Sequence, residues 1–202
     1  MFLKGDGYRV NMAVLPALFI LSRVVYYLLG IRFDAESIEW GYQLLDPYYL
    51  RTDLLRSIWY MHMQPPLYNL LIGLVLKFFP GHVAFVLHLI FTSCGFLIVW
   101  LMSDSMKMLG VTPKWKWGIL CYFIFAPTAV LYEHMLFYTY FTVFFLTAAF
   151  WGLIQFTHKG KTPGLMVFYS MVSALVLTMS LFHLVFLLVL IFIFRAHVLN
   201  IR

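Results

Sequence analysis

The chain has 202 residues, of which 63% are hydrophobic, 20% aromatic and only 11% charged, with a mean hydropathy of +0.90. A soluble domain of this size cannot bury so much apolar surface, and the composition is that of an integral membrane protein. Fourteen Lys and Arg against eight Asp and Glu give a net charge of +6, but the basic residues are scattered through short connections between apolar runs, which reads as a topology signal and excludes nucleic acid as a partner.

Taken in chain order, residues 12–30 form the first apolar run, long enough to cross a hydrocarbon core of ~30 Å at ~1.5 Å per residue. Arg32 and Asp34 follow it with no small-residue cleavage site, so it is expected to be a retained span rather than a signal peptide. Residues 31–82 form a loop with interfacial helices. In it Glu36, Glu39 and Gln43 recur at helical spacing opposite a stripe of Ile38, Tyr42 and Leu45, the pattern of a short amphipathic helix over 35–45 with one face on the membrane. Asp34 stands where that helix would begin, the position of an N-cap.

Residues 65–79 are apolar but short for a crossing, and Pro80-Gly81 ends them. Lysine placement assigns them to a helix lying at the outer surface, because every basic connection then falls on one side. That inner side holds Lys4, Arg9, Lys107, Lys114, Lys116, Lys159, Lys161, Arg195 and Arg202, nine of the fourteen cations. Residues 83–102, 117–132 and 137–156 supply spans two to four. Residues 164–194 are either one strongly tilted helix or two short spans turning near 180–183, where polar residues interrupt the run. The expected architecture is all-α: a single polytopic membrane domain of five to six spans, N-terminus inside, with the 31–82 loop, Glu133-His134 and the 180–183 segment converging on the outer face.

The loop carries five carboxylates, Asp34, Glu36, Glu39, Asp46 and Asp53. Glu133, beside His134 at the outer end of the third span, reads either as a solvated interfacial charge or as a functional acid. Arg23 lies deep in the first span, where a charge is costly unless it snorkels or faces a partner or a phosphate. His62, His134 and His183 are outer-face histidines with no further His or Cys at i+3 or i+4, so the spacing does not indicate a protein-only metal site. Cys94, Cys121 and His88 sit within apolar runs and read as packing residues. No nucleophile elbow, phosphate-cradling glycine loop, dinucleotide fingerprint or zinc motif occurs in the sequence.

One order of features carries a resemblance: a span, a loop with an early Asp and a Tyr (Asp34 and Tyr42), a helix opening Gln64-Pro65-Pro66-Leu67-Tyr68, then Tyr132-Glu133-His134-Met135-Leu136-Phe137-Tyr138-Thr139 at the next outer turn. This order resembles the N-terminal half of membrane glycosyltransferases of the GT-C type, nearest the bacterial branch related to protein mannosyltransferases and lipid A aminoarabinose transferases. Ser180-Leu181-Phe182-His183 is similar to a segment those proteins carry after their fourth span, with Met179 where an Arg commonly stands. The resemblance implies transfer of a sugar from a polyprenyl-phosphate donor to an acceptor on the outer side of a bacterial inner membrane. It implies Asp34 as the base that deprotonates the acceptor, with Glu133 assisting it or holding a divalent cation, the one cofactor considered, on the leaving phosphate. Arg23, Arg51 and Arg56 are the candidates to pair with phosphate. Tyr42 and Tyr68 are candidates to stack on sugar rings, and His62, Gln64, His134 and His183 complete the expected substrate-binding set. Enzymes of this type have eight or more spans, so a fragment, an inactive relative, or a split subunit completed by a second membrane chain is expected. The competing readings are a non-catalytic scaffold or partner subunit, whose loop only docks another protein, and a small transporter or flippase.

Overall fold

The computed structural model describes residues 7–40, 44–60, 66–160 and 162–179, together with 188, 190 and 191. Among them are ten helices and no strand: α1 Gly7–Leu28, α2 Ser37–Trp40, α3 Pro47–Thr52, α4 Leu54–Trp59, α5 Pro66–Phe78, α6 Val83–Met108, α7 Pro113–Phe125, α8 Pro127–His134, α9 Tyr138–Lys159 and α10 Thr162–Val176. The all-helical expectation holds for the described residues.

Two of these helices are long and apolar enough to cross a membrane, α6 and α9, with mean hydropathies of 2.2 and 1.4. The other apolar runs form shorter helices, among them Ala13–Leu28 of α1 and Thr162–Val176. The expected span over 117–132 is broken at Ala126, which has extended backbone (φ −65°, ψ 121°). Pro127 is the cause: it has no N–H to donate, its ring excludes a helical carbonyl four residues back, and it pushes the preceding residue out of the α region. In the 164–194 run, helix α10 ends at Val176 and Leu177-Thr178 form a turn; the expected turn at 180–183 lies outside the described residues.

The loop also departs from its expected form. Of the amphipathic helix expected over 35–45, the described residues show α2 with Ile38 buried and Glu36 and Glu39 exposed, and non-helical backbone at 44–45; residues 41–43, with Tyr42 and Gln43 of the pattern, lie outside the described residues. A second helix starts soon after it. Asp46 accepts the Tyr48 amide at 2.7 Å and Pro47 occupies the first turn, an N-cap followed by the residue best suited to a helix start. Ahead of that cap, the Leu45 amide donates to the buried Asn69 side chain of α5 at 2.8 Å.

Helix α5 has 13 residues, about 20 Å at ~1.5 Å per residue, too short for an upright crossing. It lies under the α3–α4 hairpin, which turns Leu50 and Leu54 onto it, and the main apolar core gathers Leu50, Leu54, Ile72, Leu76, Leu87, Phe91, Ile98 and Phe141 from α3 to α6 and α9. A second cluster, Leu15, Phe19, Val99, Leu120 and Ile124, joins α1, α6 and α7. Helices α9 and α10 form a hairpin that crosses at Gly152 and Gly164, where a Cβ on either residue would lie 2.6 Å from the other's carbonyl oxygen. Small residues that let backbones touch are a common means of helix association in lipid, where no hydrophobic drive exists between helices.

Candidate functional site

Asp34 lies on the short extended segment between α1 and α2 and pairs in parallel with Met135, just after α8. Its amide donates to the His134 carbonyl at 2.8 Å, and Ser37 Oγ donates to the Leu136 carbonyl at 3.2 Å. Two segments about a hundred residues apart are thereby clipped main chain to main chain, each satisfying groups that the adjacent helices leave open. Separately, the Leu67 amide at the start of α5 donates to the Leu177 carbonyl just after α10 at 2.8 Å. Of the three clusters expected to converge, the loop and the Glu133-His134 turn are brought together, and the 180–183 segment lies outside the described residues.

Asp34 Oδ1 accepts the Glu36 amide at 2.8 Å, a local turn that orients the carboxyl group just ahead of α2. The side chain is exposed and borders a cavity of about 820 Å³ whose charged lining is Arg32, Asp34, Glu36, Glu39 and Arg51. Phe33, Ile38 and Leu76 supply apolar wall. Arg32 is fixed there by stacking on Tyr27, with its guanidinium carbon 3.5 Å from the ring centre. Cavities of this size that combine apolar walls with a few convergent polar groups are the usual form of small-molecule sites.

Of the other expected residues, Arg51 shares the cavity with Asp34 and Arg56 does not; Arg56 is exposed, 3.9 Å from Asp53. Tyr68 is buried, its ring edge-on to Tyr138 and Phe141 at centroid distances of 6.3 and 5.9 Å. Its hydroxyl has no hydrogen-bond partner among the described residues, and burial pushes its ionisation well above the usual range, so this ring is packed away from any sugar at the 820 Å³ cavity. His134 is buried, with Nδ1 2.8 Å from the Val130 carbonyl and its ring 4.9 Å from that of His88. Tyr42, His62, Gln64 and His183 lie outside the described residues.

Glu133, read as a solvated interfacial charge or a functional acid, and Arg23, read as snorkelling or facing a partner or a phosphate, face each other. Glu133 is fully buried and Arg23 nearly so. Arg23 Nε donates to Glu133 Oε1 at 2.9 Å, and Nη2 donates to Oε2. The Tyr140 hydroxyl also donates to Oε2 at 2.9 Å. Phe19 lies under the guanidinium, its ring centre 3.8 Å from the Arg23 carbon. The physical reason is the cost of an isolated charge among apolar helices, which a bidentate, doubly hydrogen-bonded pair offsets. With both carboxylate oxygens engaged by a guanidinium and a phenol, Glu133 does not fit the role of a cation ligand, and no group of three or more His, Cys, Asp or Glu that could hold a metal occurs among the described residues.

The sequence reading missed the partners of this pair. Ser22 Oγ and Arg23 Nη1 both donate to the Ile124 carbonyl, at 2.8 and 2.9 Å, and the Tyr26 hydroxyl donates to the Phe125 carbonyl at 2.7 Å. These are carbonyls beside the break that Pro127 makes, so α1 supplies the donors that the broken helix lacks. Polar residues at 22, 23 and 26, grouped on one part of an apolar helix, were the available signal. Gly95 leaves room for the Glu133 carboxylate and the Tyr140 hydroxyl. Comparison with protein-family models, curated proteins and solved structures gave no match.

Proposed function

We propose that the protein acts on the outer side of a bacterial inner membrane, as a bundle of five to six spans, to transfer a sugar from a polyprenyl-phosphate donor to an acceptor hydroxyl. The observation that supports this reading is the cavity in which the exposed Asp34 carboxylate stands with Arg32 and Arg51. Sugar transfer from a phosphate carrier needs those two chemistries side by side. A carboxylate takes the proton of the acceptor hydroxyl as its oxygen bonds to the anomeric carbon, and cations receive the phosphate that departs with the electrons of the broken C–O bond. Asp34 Oδ1 is engaged by the Glu36 amide, which holds the group in place while Oδ2 takes the proton. A second membrane chain completing the donor site is part of this proposal.

Asp34→Asn in the purified protein, with any chain that co-purifies, tests it. The substitution keeps the acceptor oxygen used by Glu36 but removes the base, so transfer from a radiolabelled polyprenyl-phosphate sugar should fall ~10²- to 10⁴-fold with folding intact. Transfer at the unmodified rate would reduce Asp34 to a turn-former. The scaffold reading is favoured by one observation, the exposed Tyr48, Tyr49, Leu55, Trp59 and Tyr60 on the α3–α4 hairpin. It expects partner binding to be lost with Trp59→Ala and kept with Asp34→Asn.

A further inference from the structure

The Arg23–Glu133 pair is the most heavily buried charge in the described structure, and the proposed transfer does not use it. Its place in the chain indicates what it does. Arg23 belongs to the helix that leads directly into Asp34, and Glu133 directly precedes His134, whose carbonyl receives the Asp34 amide. The chain from Arg23 to Asp34, the hydrogen bond from Asp34 to His134, the peptide bond from His134 to Glu133 and the ion pair back to Arg23 form a closed ring. A ring closed at both ends by defined contacts cannot slide. Without the ion pair, the Ser22 and Tyr26 bonds to the Ile124 and Phe125 carbonyls would still hold α1 to the end of α7, but α8 would be tied to it only at its far end, through the Asp34–His134 bridge and the Ser37–Leu136 bond, and the Asp34 segment could shift with it.

Three further contacts stiffen the ring. Tyr140 ties Glu133 to α9, the Ile124 carbonyl fixes the far side of the guanidinium, and Gly95 of α6 leaves the carboxylate no spare room. A planar guanidinium held on two edges and one face has a single orientation, which a mobile ammonium would not have.

We propose that Arg23, Glu133 and Tyr140 form a positioning network that fixes the Asp34 segment at the rim of the cavity. This rests on the reading of Asp34 as the reacting carboxylate, yet it is testable without substrate. Asp34→Cys and Met135→Cys, placed at the bridged pair in a background with Cys94 and Cys121 replaced by alanine, should form a disulfide rapidly under mild oxidation, since paired main chains bring such residues within bonding range. Arg23→Lys is the decisive added variant. It keeps the positive charge, and therefore the charge balance on which folding depends, but lacks the bidentate fork. It should remain folded by circular dichroism and gel filtration while disulfide formation slows roughly tenfold or more, as expected when a reacting pair loses its fixed geometry. Glu133→Gln should slow it at least as much. In the Asp34 protein, Arg23→Lys should lower kcat for sugar transfer with KM nearly unchanged. Folded Arg23→Lys protein that cross-links at the unmodified rate would overturn the proposal by showing that the pair only balances charge. Slowed cross-linking in a protein with no transferase activity would uphold the positioning and sink the enzymatic reading alone.

Discussion

Gly95 faces Glu133 so closely that a Cβ on Gly95 would lie 3.0 Å from the carboxylate carbon and 2.5 Å from the Tyr140 hydroxyl. The glycine is thus the cavity that the buried acid occupies. Gly95→Ala should destabilise by about 1–3 kcal/mol, the usual range for overpacking a filled interior, because the atoms it meets belong to a doubly anchored side chain that cannot swing away. Gly118 of α7 is the control, since a Cβ there meets nothing within 4 Å and alanine in a helix interior should gain about 0.5–1 kcal/mol. Unfolding in graded SDS, followed by circular dichroism, would check both; equal responses would refute the packing argument.

The ion pair itself should behave non-additively. Arg23→Met or Glu133→Gln alone leaves one member of a buried pair uncompensated, for which about 3–5 kcal/mol is expected, whereas the double variant should lose clearly less than the sum. A double-mutant cycle in the same SDS assay measures this. Additive losses would mean that the two groups do not depend on each other.

Close backbone contact makes a separate demand on the α9–α10 hairpin. A Cβ on Gly152 would lie 2.6 Å from the Gly164 carbonyl oxygen and 2.9 Å from the Phe168 amide nitrogen, and backbone atoms cannot move aside as a side-chain tip can. Gly152→Val should therefore force the helices apart and lower stability by about 3 kcal/mol, the upper part of the overpacking range. The loss should be measurable as faster trypsin cleavage near Lys159. Unchanged cleavage and unfolding would show that the hairpin does not depend on this crossing.

The proposed topology has its own check. Cysteines at Lys114 and at Asp53 should differ in reaction with an impermeant maleimide added outside intact cells, with only the Asp53 position labelled, because the basic connections are retained inside. External labelling at position 114 would invert the arrangement and place α5 across the membrane.

Much of the fold was legible because it depends on neighbours in sequence. The apolar runs that became α6 and α9, and the shortness of the segment that became α5, follow from hydropathy and length alone. Asp46 and Pro47 mark a helix start by local chemistry. Pro127 announced its own break, though continuous hydrophobicity made 117–132 read as one span. The site was legible only in pieces. Asp34 could be picked out as a helix cap or a reacting acid in a charged loop, but its pairing with His134, and the sharing of one cavity with Arg32 and Arg51, depend on how α1, α3, α5 and α8 pack. Arg23 read as a charge that snorkels or faces a partner or a phosphate and Glu133 as an interfacial or functional acid, and nothing in the sequence between these positions, 110 apart, pairs them. Periodicity and capping are properties of a few consecutive residues. Charge pairing between distant helices is decided by the crossing of those helices, by the carbonyls that Pro127 exposes and by the space that Gly95 leaves, and these exist only in the packed structure.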